Sequence, residues 1–320
     1  MTQAIIGVDV GGTLLRAACY DLDFKQLRRA EQPTLAEQGS EAVLRRLYET
    51  IRQIMPGSQD ELVGIGLAVP GPIDPERGVL IAPPNLPFRD VPIVDLVQKA
   101  VGGRVYLGND ADLAGLAEYM HGAGQGTRSM VYMTISTGIG GGLILDGKLH
   151  TGRGQGGEVG HMVVEPDGPL CGCGRRGHLE AVASGTAIAR TARERLEAGE
   201  PSSVRDRVDG DLTKVTAKIV GEAAQDADPM ALDIICQAGR YIGIGIASLM
   251  MILNPDRFVL GGGVTRLGRL LLDPIQEAVY RYTLHPRYWE NTPIVRATLG
   301  EDVGLVGAAA LVQMRRQGNV

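Results

Sequence analysis

Two stretches of the chain repeat one plan: an apolar strand, a turn of small residues, and a second apolar strand closed by a polar tip. Residues 5–21 read IIGVDVGGTLLRAACYD and residues 131–146 read VYMTISTGIGGGLILD, the first ending at Asp21-Leu22-Asp23 and the second at Asp146-Gly147. Such patterns predict β-hairpins. Their recurrence suggests a duplication, two α/β halves facing each other with both glycine turns directed into one cleft.

Between the hairpins, leucines and isoleucine at helical spacing predict a helix over 40–55, stopped by Pro56-Gly57. A buried strand over 62–69 follows, ended by Pro70-Gly71-Pro72. Residues 74–92 are proline-rich and read as a surface loop carrying Asn85. A helix over 94–101, a strand over 104–107 and a helix over 111–121 complete the first half, and the polar connector 122–128 marks its end. In the second half, helices are predicted over 184–198, from 214 onward, from Asp228-Pro229 to Asn254-Pro255, over 267–282 and over 304–316, with a strand over 257–260. The domains are thus 1–122, with a C-terminal helix (301–320) packing back on it, and 123–300.

Composition narrows the class. With 44% hydrophobic and 22% charged residues over 320 positions, the chain is ordinary for a globular protein, and a net charge of -5 without a basic cluster argues against a nucleic-acid partner. The longest apolar run, 241–253, is too short for a bilayer and reads as a buried helix. No cationic leader precedes the first strand, so a signal peptide is not expected. Cys19 and Cys236 sit in apolar surroundings far apart, which fits a reducing cytoplasm better than a disulfide framework.

Chemistry concentrates in residues 157–180, GEVGHMVVEPDGPLCGCGRRGHLE. His161, Cys171, Cys173 and His178 form a sulfur and nitrogen set suited to tetrahedral zinc, structural because no position is left open. An exposed Gly/Cys loop with unrelated histidines is the alternative. The loop also carries Glu158 and Glu180, carboxylates able to accept hydrogen bonds from a polyhydroxylated ligand.

Glycine turns let backbone amides approach phosphate oxygens. Asp9, Gly11, Gly12, Thr13 and Arg16 form the first; Thr137, Gly138, Gly140 and Gly141 form the second. Asp9 beside phosphate requires a cation or water between them, unless it merely caps the turn. The second turn is no dinucleotide fingerprint, since a strand follows it, and no P-loop spacing occurs. Gly261, Gly262 and Gly263 either border the adenosine end of a nucleotide or make a tight strand-to-helix turn. Asn109-Asp110-Ala111-Asp112 lies where a strand meets a helix; Asp110 is the candidate base for a hydroxyl attacking a phosphoryl group, although one aspartate there could instead cap the helix.

Taken together, the segment 9–13, Asn109-Asp110, E-V-G-H at 158–161 and C-G-C-G-x-x-G-x-x-E at 171–180 resemble the ROK family of repressors, open reading frames and kinases, and within it the bacterial ATP-dependent glucokinases. The resemblance covers effectively the whole chain. It implies an actin-like ATPase (ribonuclease H-like) fold of two α/β domains around a central cleft, magnesium ATP as donor and the 6-hydroxyl of glucose as nucleophile. It further implies Asp110 as general base, and Gly71, Asn85, Asn109, Glu158, His161 and Glu180 as sugar contacts. ATP falls to Asp9, Gly11, Gly12, Thr13, Arg16, Thr137, Gly138 and Gly261–Gly263. His161, Cys171, Cys173 and the residue at 178 match the family's zinc positions, but His178 stands where a third cysteine is usual, so a Cys2His2 zinc set is expected. An N-acetylhexosamine or fructose kinase with the same apparatus, or a non-catalytic sugar sensor, are the alternatives. Repressor relatives carry a helix-turn-helix domain in front; the first hairpin starts at Ile5, so no DNA-binding role is expected. A homodimer or homotetramer follows from family analogy.

Overall fold

The opening hairpin forms as its pattern predicts: β1 (Gln3–Val10) and β2 (Leu14–Asp21) pair antiparallel with Asp9 opposite Arg16. The computed structural model describes residues 3–57 and 59–318 and divides into two units. One comprises residues 1–132, 142–157 and 297–320, the other 133–141 and 158–296. The chain passes between units within two strands and again after residues 157 and 296, rather than near 122 and 300. Residues 122–128 are no boundary because they are bonded to the end of a first-unit helix. Gly122 and Gly124 donate to the Glu118 carbonyl, and Ala123 donates to the Glu118 carboxylate.

In the first unit, β3 (Gln26–Pro33), β4 (Glu61–Val69) and β5 (Val105–Asn109) complete a sheet of order β3-β2-β1-β4-β5, with β1, β4 and β5 parallel. One face buries Val8, Leu15 and Leu67 against Leu47 and Ile51 of α1 (Ser40–Gln53) and Val97 of α2 (Ile93–Val101). The other face carries the C-terminal helix, Val303–Arg316, whose Leu305, Ala309 and Val312 cover Ile5, Ala18 and Tyr20. Strand glycines permit this approach. A Cβ at Gly66 would lie 1.8 Å from the Ala308 carbonyl oxygen, so helix backbone rests directly on strand backbone. The segment 74–92 is more than a surface loop: Leu80, Leu86 and Phe88 are buried in the core and hold Asn85 exposed between them and the turn before it. Beyond β5, α3 (Asp110–His121) begins without an intervening loop.

The second sheet has the order Lys148–Leu149, β7 (Ile139–Leu145), β6 (Met130–Ile135), β8 (Arg257–Gly261), β9 (Ile294–Arg296). As in the first sheet, the opening strand has its hairpin partner on one side and a later strand on the other, the physical form of the duplication. Helices α4 (Leu179–Ala183), α5 (Gly185–Glu197), α6 (Ala217–Gln225), α7 (Pro229–Leu253) and α8 (Arg269–Tyr282) belong to the second unit. Asp228 caps α7 by accepting from the Ala231 amide, Pro229 occupies its first turn, and Asn254 ends it in the left-handed conformation. At 25 residues α7 is long and apolar enough to cross a membrane, unlike the shorter run read from sequence, yet 61% of its most apolar window is buried in the protein. It packs on α8 at Gly243, where a Cβ would meet the Ile275 carbonyl oxygen at 2.5 Å. Cys19 is buried as expected, but Cys236 on the outer side of α7 is exposed.

Candidate functional site

The first glycine turn is held from below. Gly11 donates to the Leu14 carbonyl (3.0 Å), Thr34 Oγ1 donates to the Gly11 carbonyl (2.6 Å), and the Thr34 amide donates to the Thr13 carbonyl (2.9 Å). Gly12 lies against Asn85: a Cβ there would sit 2.7 Å from Asn85 Cβ and 2.8 Å from its carbonyl oxygen. Any side chain at position 12 would drive the turn from the loop. Asp9 and Arg16 pair with each other across the hairpin, and Arg16 also donates to the Glu301 carbonyl (2.8 Å). The Asp9 carboxylate lies close to Gly304, in the first turn of the C-terminal helix, where the positive end of the helix dipole favours an anion.

Asn109 closes β5 and caps α3, its Oδ1 accepting from the amides of Ala111 (2.9 Å) and Asp112 (3.3 Å). The cap is therefore the asparagine, and neither aspartate is needed for it. Asp112 turns into the protein and is buried, whereas Asp110 is exposed in the first turn, with Oδ1 accepting from the Ala111 amide (2.8 Å). Gly71 abuts the other end of the Asn109 side chain, where a Cβ would come within 3.1 Å of Nδ2. Gly71, Asn109 and Asp110 thus cluster in the first unit, as Gly12 and Asn85 do.

In the second unit, the ligand atoms of His161, Cys171, Cys173 and His178 all lie within 4.8 Å of one another. Nδ1 of His178 is 3.2 Å from Nδ1 of His161 and 3.2 Å from Sγ of Cys173, and Sγ of Cys171 is 3.8 Å from Nδ1 of His161. Zinc–nitrogen and zinc–sulfur bonds of roughly 2.0 and 2.3 Å at tetrahedral angles require ligand separations of about 3.3–3.8 Å. The donor set fits. The loop reverses through Gly174 and Gly177, both at positive φ, with Cys171 donating to the Arg175 carbonyl. At Gly177 a Cβ would collide with the Glu165 carbonyl oxygen at 1.9 Å. Burial pushes the Cys171 thiol up to about 11, a cost that a divalent cation removes by stabilising the thiolate. Glu158 lies 3.9 Å from Nε2 of His161, the ring atom facing away from the cluster.

Glu180 links this loop to the second glycine turn. Its Oε1 is 3.7 Å from Sγ of Cys171, and its Oε2 accepts from the Ile139 amide at 3.0 Å. Beside that turn lies a cavity of about 720 Å³, lined by Ser136, Thr137, Thr186, Arg193, Lys218, Glu222, Gln225, Gly263, Val264 and Leu267 among others. Its size suits a nucleotide-sized ligand. Gly262, at φ 87, fits only without a side chain, since a Cβ would meet the Ile135 carbonyl oxygen at 2.3 Å. The glycines from 261 do make the strand-to-helix passage, but a 3-10 turn, Gly263–Leu267, precedes α8. Thr186 and Arg193 of α5 and Lys218 and Glu222 of α6 escaped the sequence reading because both helices look ordinary in sequence. The Ser184 cap before Gly185 was the one local signal, as it fixes where α5 starts beside the turn.

The glucokinase of Thermotoga maritima is 41% identical over 313 residues, which is 97% of this chain and 98% of that protein. A ROK hexokinase from Thermus thermophilus superposes with a TM-score of 0.83 at 39% identity, covering 98% of this chain and 99% of its own. A ROK family glucokinase from Streptomyces griseus, solved with glucose and AMPPNP, gives a TM-score of 0.82 at 35% identity over 97% and 99% of the two chains. The fold is the actin-like ATPase fold. Its sequence matches the ROK profile over residues 5–315, and with its two glycine turns and Cys/His loop in place the chain belongs to the ROK family.

Proposed function

We propose that the chain is an ATP-dependent hexose kinase that transfers the γ-phosphoryl group to the 6-hydroxyl of glucose. The observation that carries this reading is near-full-length similarity to glucokinases, one of them bound to glucose and an ATP analogue, in a chain that presents Asp110 exposed beside Asn109. Asp110, in the first turn of α3, takes the proton from the attacking hydroxyl. Asn109 spends its oxygen on the helix cap and is left with Nδ2 to donate to the same sugar edge, with Gly71 and Asn85 as first-unit neighbours of the sugar. Glu158, His161 and Glu180 are the second-unit sugar contacts. Gly11, Gly12, Thr13, Thr137 and Gly138 are assigned to the phosphates, and Asp9 and Arg16, paired with one another, to shaping the first turn. The cavity bordered by Thr137 and Gly263 is assigned to the nucleoside.

His161, Cys171, Cys173 and His178 would hold a structural zinc ion, which supplies rigidity and, with four protein ligands, no open position for catalysis. Bound magnesium would supply charge neutralisation on the β- and γ-phosphates. Metal-ready thiols at Cys171 and Cys173 fit a reducing cytoplasm, and a homodimer or homotetramer is the assembly proposed. A coupled ADP-release assay across glucose, fructose, N-acetylglucosamine and N-acetylmannosamine tests the reading. Turnover highest with glucose supports it; preferred turnover of an amino sugar or fructose redirects the substrate, and sugar binding without ADP release makes the chain a sensor.

A further inference from the structure

The second glycine turn is held from one side by a short segment that begins at the metal loop. Ser136 closes the turn by donating to the Gly138 carbonyl (2.9 Å), while Gly185 donates to the Ser136 carbonyl (2.7 Å) and Thr186 Oγ1 to the Thr137 carbonyl (2.8 Å). These bonds fix the outer limb through its carbonyls. The inner limb is anchored by the Glu180 carboxylate, whose Oε2 accepts from the Ile139 amide. Gly138 packs so closely on this carboxylate that a Cβ would lie 2.4 Å from Oε2. His178 immediately precedes α4, and Glu180 is the second residue of that helix. One carboxylate therefore touches both the thiol of Cys171 and the backbone of the turn.

We propose that Glu180, besides any contact with sugar, is a positioning residue for the nucleotide: it holds the Thr137–Gly138 turn in register, and through it the metal loop sets affinity for the triphosphate. The inference rests on the kinase reading above. A charged acceptor withdrawn from a partly buried amide weakens whatever that amide's turn supports, on the scale of about tenfold or more in binding. Glutamine retains an oxygen that can accept from Ile139, whereas alanine does not.

The test is the Kd of AMPPNP measured calorimetrically with no sugar present, so that a lost sugar contact cannot register. Glu180→Ala is expected to weaken binding about tenfold or more while the chain stays folded at the assay temperature, Glu180→Gln to stay within about threefold of the parent, and Gly138→Ala to weaken it by displacing the carboxylate. Removal of metal from the Cys/His loop by a chelator, followed by dialysis into excess magnesium before titration, is expected to weaken AMPPNP in the parent and to add nothing in Glu180→Ala. A parent chain that binds AMPPNP while Glu180→Ala binds it equally well overturns this inference alone, as does a glutamine variant no better than alanine. A parent chain that binds no AMPPNP overturns the kinase reading and this inference together.

Discussion

Glu118 is a carboxylate with no exposed surface, and its two oxygens serve backbone amides from both ends of a long sequence gap. Oε1 accepts from the amides of Thr298 (2.9 Å) and Leu299 (2.8 Å), and Oε2 from the amide of Ala123 (2.8 Å) and the Thr298 hydroxyl (3.3 Å). It fastens the chain as it re-enters the first unit to the end of α3. Glu118→Ala leaves three amides, those of half-buried Ala123 and Leu299 and exposed Thr298, without that acceptor. At about 1 kcal/mol for each of these bonds, since water reaches part of the freed amides, the net loss is about 3 kcal/mol. Glu118→Gln keeps one oxygen but presents an NH2 group to donors on one side, so about 2 kcal/mol is expected. Urea unfolding followed by far-UV circular dichroism should show an early transition in the alanine variant. Fluorescence of the single tryptophan, Trp289, reports the second unit and should lag behind it. An alanine variant within about 1 kcal/mol of the parent would refute the claim that these bonds hold the segment.

Three further outcomes are expected. Asp110→Asn should lower kcat by about 10²–10⁴ while glucose affinity changes little, because the amide cannot take a proton; single-turnover kinetics with parallel sugar titration checks this, and retained turnover removes Asp110 as base. Elemental analysis should find one zinc per chain, lost in Cys171→Ser and His178→Ala; a metal-free parent purified without chelators contradicts the Cys2His2 assignment. Burial holds the imidazole of His121, whose ring centre lies 3.8 Å from that of Phe24 in a tilted arrangement, below its usual 6.5. The unfolded chain therefore takes up that proton first, and stability should fall as pH drops through about 6.5 and level off below the folded value, a slope that His121→Leu should flatten in urea titrations at stepped pH.

Much of this arrangement was legible in residue order. The hairpins of 5–21 and 131–146 announced themselves by apolar runs around small residues, and the Cys/His loop by four soft ligands in a short span. β3 was silent because Gln26, Arg28, Arg29 and Glu31 show no alternation; its pairing with β2 is a backbone matter at an exposed edge, where side chains carry little signal. The unit boundary could not be read at 122–128 because glycines that look like a linker are tied down by Glu118, a partner the local composition does not reveal. The cap of α3 went to Asn109 rather than to an aspartate, a choice set by which side chain stands before the first helical residue. Residues lining the large cavity come from the turn at 136–137, from α5 and α6 and from the segment 263–267, and no spacing rule gathers them.

The C-terminal helix has a bearing on how the protein is made. Ile5, Ala18 and Tyr20 emerge from the ribosome early, but Leu305, Ala309 and Val312, which cover them, emerge about 300 residues later. At roughly 5–20 residues per second, that oily sheet face waits on the order of 15–60 s for its cover during synthesis. A nascent chain stalled before Val303 is thus a natural client for chaperones, and truncation ahead of this helix should yield aggregate rather than a smaller working protein.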